Sequence, residues 1–409
     1  MNMAVIFKEI PGGVTAPSGF KAAGIHCGIK ARSLKKDLML IVSEKTCAAA
    51  GVYTKNIVKA APILLTMEHL KDGRAAAIIA NSGNANACAE NDKENAKKMA
   101  LLASRGLNVP LEDVAVASTG IIGQPLDIGA IERGMPSLLA GLGNNSSDAA
   151  EAIMTTDTYK KETALEYTLN GKTIRMGGIC KGSGMIHPNM GTMLSFIATD
   201  AAISPHMLQK ALREAVRVTF NRISVDGDTS TNDTCIILAN GMSGTGEITS
   251  EDEGYYKFLD ALKALCTRLA RLIAADGEGA SKLITCRVTG APDEAAAEAA
   301  GKAVIASSLV KAAMFGSDAN WGRVICAIGY SGTDFDPVGI SISFSSGAGK
   351  LPVCSRGRGL SFDEDLAKKI LSEKEIIIDV DMNMGSASAV CWGCDLTYDY
   401  VKINGDYRT

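Results

Sequence analysis

No apolar run in this 409-residue chain approaches the roughly 20 residues that a membrane-spanning helix needs, so no membrane partner is expected. The opening Met1-Asn2-Met3-Ala4-Val5-Ile6-Phe7-Lys8 lacks the basic, apolar, small order of a secretory signal, and the expected location is the cytoplasm. Blocks of one charge are also missing. The net charge is −3 with Lys and Arg dispersed, which leaves no electrostatic footprint for nucleic acid and makes a small molecule the better default partner. Only four histidines are present, so Cys391-Trp392-Gly393-Cys394 has redox or half-zinc spacing but neither a second pair nor histidines placed to close a tetrahedral site. No metal is expected. Eleven cysteines, an odd number scattered through a large chain, read as reduced thiols. A serine-hydrolase elbow is absent, since Gly241-Met242-Ser243-Gly244-Thr245 fails at its last glycine, and Ser33-Leu34-Lys35-Lys36 lacks the companion β-lactamase motifs. Asp226-Gly227-Asp228-Thr229-Ser230-Thr231-Asn232 imitates a calcium loop, yet Thr231 and Ile237 stand where Gly and Glu are required, so it reads as a polar turn before a strand.

What is present is a long chain with two or three lobes' worth of apolar residues. Ile/Val-rich runs predict strands at Leu38–Val42, Ala75–Ala80, Val114–Ala117, Met193–Ala198, Cys235–Ala239, Leu283–Val288, Val324–Ile328, Ile340–Phe344 and Ile376–Val380. Asn91 with Glu94 forms a capping box ahead of one helix, and Ser204-Pro205 is an N-cap followed by proline at the first helical position. Longer helices are expected from about Tyr255 to Ala275 and from about Pro292 to Met314. The mixture gives an α/β fold of helices layered on β-sheets. A lobe boundary is expected near Gly277–Lys282, with a main body over about 1–281 and a smaller α/β C-terminal lobe over about 282–409.

The most informative stretch runs from Lys181 to Leu194, where the glycine-rich loop Gly182-Ser183-Gly184 leads through Gly191 to Thr192 at the start of an apolar strand. The Gly191 carbonyl is open to the Thr192 hydroxyl. Cleavage there makes Thr192 an N-terminus whose amine, with an unperturbed pKa of roughly 7.7–8.0, can take the proton from its own hydroxyl. Taken alone, the same residues also fit an ordinary turn feeding a buried strand.

The rest of the chain resembles the ornithine acetyltransferase family, the self-cleaving N-terminal-threonine glutamate N-acetyltransferases of arginine biosynthesis. The resemblance is carried in order by Gly12-Gly13-Val14-Thr15-Ala16-Pro17, Gly51-Val52-Tyr53-Thr54, Asn81-Ser82-Gly83-Asn84-Ala85-Asn86-Ala87-Cys88, Ser118-Thr119-Gly120-Ile121-Ile122-Gly123 and Met154-Thr155-Thr156-Asp157. It continues through the loop to Thr192, Asp276-Gly277-Glu278-Gly279, Asn320-Trp321-Gly322-Arg323 and the tail from Trp392 to Thr409.

The resemblance implies a main body of the ornithine acetyltransferase/aminopeptidase type. It also implies cleavage between Gly191 and Thr192 into an α chain, 1–191, and a β chain, 192–409, two of each forming a heterotetramer. In turnover Thr192 would take acetyl from N2-acetyl-L-ornithine and pass it to L-glutamate. No cofactor is needed, and acetyl-CoA is a candidate further acetyl donor. Thr119 and Gly120 match the family's oxyanion residues, and Lys181 and Glu278 its contacts to a carboxylate and an ammonium group. Thr155, Asn404 and Thr409 match the remaining substrate contacts. Gly191 departs from the alanine usual in the family, which leaves cleavage possible with a less strained bond. Two rival readings share these features: an N-terminal-threonine aminopeptidase or amidohydrolase with water as acceptor, and a non-catalytic small-molecule-binding protein.

Overall fold

The computed structural model describes residues 7–31, 33–187 and 193–405. Within them the chain forms two compact units. One holds the described residues of Met1–Gly182, Pro188–Asn221 and Thr229–Leu269, the other those of Ser183–His187, Arg222–Asp228 and Ala270–Thr409.

The strands are, in chain order, β1 (Lys8–Ile10), β2 (Phe20–Ile25), β3 (Leu38–Tyr53), β4 (Arg74–Asn81), β5 (Val114–Ser118), β6 (Lys161–Leu169), β7 (Lys172–Lys181), β8 (Leu194–Thr199), β9 (Ile223–Ser224), β10 (Thr234–Ala239), β11 (Leu283–Ala291), β12 (Ser341–Ser346), β13 (Gly349–Ser355), β14 (Arg358–Gly359), β15 (Glu375–Asp381) and β16 (Ala387–Cys394). The first unit carries a nine-stranded sheet ordered β1-β6-β7-β8-β10-β3-β4-β5, with β2 paired to β3. Its two faces are read directly from alternation along β3: Leu38 and Leu40 pack with Met99, Ala103, Ile131 and Leu138 on one side, and Met39 and Ile41 with Ala149, Phe196 and Ile236 on the other. Both faces are buried, which is why its inner strands read as continuous apolar runs. The second unit carries a seven-stranded sheet, β14-β13-β12-β15-β11-β16-β9, whose core joins Ile284, Val288, Ile376 and Ile378 to Val304 and Ile328 from flanking helices. The fold is therefore mixed α/β, as the pattern predicts.

Three local expectations are corrected. The run Val324–Ile328 is helical, within Trp321–Gly329, because Asn320 caps it by accepting from the Arg323 N–H at 3.3 Å, and Val324, Ala327 and Ile328 share its buried face. The helix expected over Pro292–Met314 is two, Glu294–Ala306 and Ser308–Phe315, broken where Ser307 leaves the helical region at φ −66°, ψ 114° to cap the second. Asn91 precedes a helix, Asp92–Leu107, but sits in the left-handed region at φ 57° with no side-chain cap bond. A capping box needs an extended N-cap. Ser204 does cap its helix, accepting from Met207 N, and Glu253–Ala275 is one long helix.

Candidate active site

Gly191, Thr192 and Thr409 lie outside the described residues. The strand that follows Thr192 is described, and it begins between two others. Leu194 pairs with Lys181 at the end of β7 and with Thr234 at the start of β10. Residues far apart in sequence are thus carried to the first residues of β8.

The turn after β5 is built for exposed donors. Ser118 Oγ donates to Asn81 Oδ1 at 2.6 Å, and the Asn232 side chain donates to Ser118 O at 2.8 Å and Ala85 O at 2.7 Å. The Thr119 N–H is spent on Asn81 O at 3.0 Å. The Gly120 N–H and the Thr119 hydroxyl have no partner among the described residues, so both donors are unspent. Gly120 has to be glycine: its φ is 136°, and a Cβ would stand 2.3 Å from the Gly83 carbonyl carbon and 2.4 Å from Asn84 N.

Asp157 gathers the next part. Its Oδ1 accepts from Lys161 Nζ at 2.6 Å and from Gly182 N at 2.8 Å, and its Oδ2 accepts from Thr155 N at 3.0 Å. Thr155 is thereby tied to the Lys181–Gly182 end of β7. Burial would raise this carboxyl's pKa, but Lys181 and Lys161 outweigh it and bring it down to about 2. Because folding lowers the pKa, the carboxylate contributes stability above its unfolded value of about 3.9 and loses it as pH falls through about 2. Removing it leaves the Lys161 ammonium, 0% exposed, without its carboxylate. Asp157→Ala is therefore expected to cost about 3–5 kcal/mol in urea unfolding at neutral pH, with the deficit shrinking toward pH 2. Lys30 links the same parts: its stem packs against Gly83, and its Nζ donates to Met154 O at 2.8 Å.

Lys181 is 7% exposed, yet its ammonium has neither ion-pair nor hydrogen-bond partner among the described residues. Asp157 and Asp233 act on it only at longer range.

In the second unit Glu278 is 6% exposed and has no cation within ion-pair distance among the described residues. Its Oε2 accepts from Asn404 Nδ2 at 2.7 Å, and its own N–H donates to Ser183 O at 3.0 Å. The flanking glycines are both required. A Cβ on Gly277 would lie 2.6 Å from Cys394 Sγ, and one on Gly279, at φ 67°, 2.6 Å from Tyr400 N. A Cβ on Gly184 would meet the Glu278 carboxyl at 2.3 Å, so a side chain there would displace that carboxyl. Asn404 is thus brought to Glu278 by the helix Tyr398–Gly405. Asp226, at the start of the run that imitates a calcium loop, accepts from Met185 N at 2.6 Å and Ile186 N at 2.8 Å. It braces the loop that leads toward residue 192. Cys391 and Cys394 are buried thiols three apart on β16, a spacing that sends them to opposite faces of a strand. No group of His, Cys, Asp and Glu fit for a metal occurs among the described residues, and no helix there is long and apolar enough to cross a membrane.

The model of the ArgJ family matches residues 21–409, which takes in every candidate residue above. The chain belongs to the ArgJ family. It is 52% identical to "Arginine biosynthesis bifunctional protein ArgJ 1" of Clostridium acetobutylicum over 95% of this chain and 96% of that protein. It is 50% identical to the ArgJ of Symbiobacterium thermophilum over 98% and 99%. Among solved structures, the ArgJ of Bacillus halodurans is similar with a TM-score of 0.50 and 44% identity, covering 52% of this chain and 99% of that one.

Proposed function

We propose that this ArgJ-family enzyme transfers acetyl from N2-acetyl-L-ornithine to L-glutamate in arginine biosynthesis, through an acetyl ester on Thr192. The observation that carries the reading is the ArgJ family match over residues 21–409, with relatives 50–52% identical over nearly the whole chain. Lys181 in the first unit and Glu278 in the second are each buried with no ion pair among the described residues, and such charges are costly. The relatives are named for arginine biosynthesis, which supports an acetylated amino acid as the substrate.

In this reading the Thr192 hydroxyl adds to the Gly191 carbonyl, the acyl group shifts from nitrogen to oxygen, and water releases an α chain, 1–191, and a β chain, 192–409. The new α-amine then serves as base while the same hydroxyl attacks the acetyl carbonyl, ornithine leaves, and glutamate takes the acetyl group. Thr119 Oγ and the Gly120 N–H hold each oxyanion. Lys181 meets the carboxylate, Glu278 the side-chain ammonium, and Thr155, Asn404 and Thr409 complete the substrate contacts. Supporting the division of the chain, the Bacillus halodurans chain is matched over 99% of its length by 52% of this one, and residues 192–409 are 218 of the 409. A cytoplasmic heterotetramer of two α and two β chains, with no cofactor and with acetyl-CoA as an additional donor, completes the proposal.

Charge matching supplies the test. Glu278→Gln should lower kcat/KM for N2-acetylornithine by roughly 30-fold or more, the equivalent of about 2–5 kcal/mol for one partner of a desolvated charge pair. The loss for an acetylated amino acid with a neutral side chain should be slight. Equal losses on both substrates would remove Glu278 from the ornithine contact.

A further inference from the structure

The peptide group that carries Thr155 is held from both ends. The Thr155 N–H donates to Asp157 Oδ2 at 3.0 Å, and the carbonyl of the same peptide unit, Met154 O, accepts from Lys30 Nζ at 2.8 Å. A planar unit is thus fixed by a carboxylate at one end and an ammonium at the other, through two charge-assisted bonds. The plane they hold sets the direction in which the Thr155 side chain leaves the backbone. Lys30 is itself built into place. The fully buried Asp37 accepts from Cys27 N at 2.7 Å, Gly28 N at 3.2 Å and Lys30 N at 3.0 Å, so the chain after β2 wraps around one carboxylate. The Lys30 ammonium spends a second N–H on Lys36 O at 2.8 Å, and its stem lies where a Cβ on Gly83 would stand 2.8 Å from Lys30 Cγ. This half-buried ammonium has carbonyl acceptors but no ion pair among the described residues. Burial lowers its pKa to about 8, with Asp37 and Asp157 opposing. A methionine would fill the same space without that desolvation cost.

We propose that Lys30 is a positioning residue for substrate binding: by gripping the Met154 carbonyl while Asp157 holds the Thr155 N–H, it fixes Thr155 in the orientation that meets N2-acetylornithine. The inference rests on the reading of Thr155 as a substrate contact.

Steady-state kinetics of the purified enzyme test it. Lys30→Met keeps the stem and removes the ammonium, so KM for N2-acetylornithine should rise about tenfold with kcat little changed. Lys30→Arg keeps a charged donor and should recover most of the loss. Because Lys30 acts through Thr155, the two losses should not add: Lys30→Met placed on Thr155→Val should raise KM no further than Thr155→Val alone. A Lys30→Met enzyme with wild-type KM, or losses that add, overturns the inference and leaves Thr155 untouched. A fall in kcat at constant KM also overturns it, and moves the effect of Lys30 to Gly83 and the Gly120 turn behind it. If Lys30→Met does not fold, the pH dependence decides. The charged groups acting on Lys30 are Asp37, Lys35, Asp157 and Lys181, and Lys36 beside it is paired with Asp148 and Glu151. As pH rises through about 8 the ammonium loses its charge, so KM should rise in the wild type and stay level in Lys30→Arg, whose guanidinium remains charged. A level wild-type profile, or a rise that Lys30→Arg shares, overturns the inference. An unchanged KM in Thr155→Val would instead overturn the reading of Thr155 as a substrate contact, and this inference with it.

Discussion

Thr192→Ala should yield one full-length chain and abolish acetyl transfer, with kcat/KM lowered by about 10^4-fold or more. The size follows from the double duty that the proposed mechanism gives this residue. Alanine has no oxygen to attack Gly191, so no N-terminus is made and the base is lost together with the nucleophile. Groups acting as one unit are not additive, and loss of the nucleophile alone typically costs about as much as loss of the whole constellation. Intact-mass measurement reads the cleavage and a coupled glutamate assay reads the transfer. Thr192→Ser should restore both in part, because serine keeps the hydroxyl and the amine.

The second large effect is expected at the Ser118-Thr119-Gly120 turn, which the proposed mechanism uses to hold the oxyanion. The Thr119 N–H is already held by Asn81 O, so any contribution from Thr119 must come through its hydroxyl. Thr119→Ala removes that donor and leaves the backbone of the turn in place. Such losses typically cost about 10^2–10^3-fold in rate, and because the bond forms mainly as charge develops, the fall should be in kcat with KM little changed. A rise in KM at constant kcat would make Thr119 a substrate contact in the ground state.

Local signals made part of this legible from sequence. The Ser-Thr-Gly turn follows a short apolar strand, and its glycine is demanded by a positive φ and a backbone approach, both of which composition hints at. The same holds for Glu278 between two glycines. Asn170-Gly171, which joins β6 and β7 with φ values of 50° and 73°, is a strong hairpin signal, yet both strands escape the search for Ile/Val-rich runs because Lys161–Leu169 and Lys172–Lys181 are half polar.

The carboxyl groups were beyond local reading. Asp157 and Asp233 sit in polar turns that look solvated, and they become buried only because strands distant in sequence are brought side by side; Asp226 is half-buried. Lys181, Leu194 and Thr234 are neighbours across three strands through a mixed parallel and antiparallel register. No periodicity along one segment contains that information. The strand expected at Val324–Ile328 failed for the opposite reason: five apolar residues fit either period, and the Asn320 cap decided for helix.

The central claim is that acetyl travels on Thr192. The most direct measurement is to mix purified enzyme with N2-acetylornithine in the absence of glutamate, quench with acid, and map the peptides by mass spectrometry. The account predicts a fragment that begins at Thr192 and carries one acetyl group, which disappears when glutamate is added before the quench. A full-length, active chain with no acetyl group on Thr192 would contradict it.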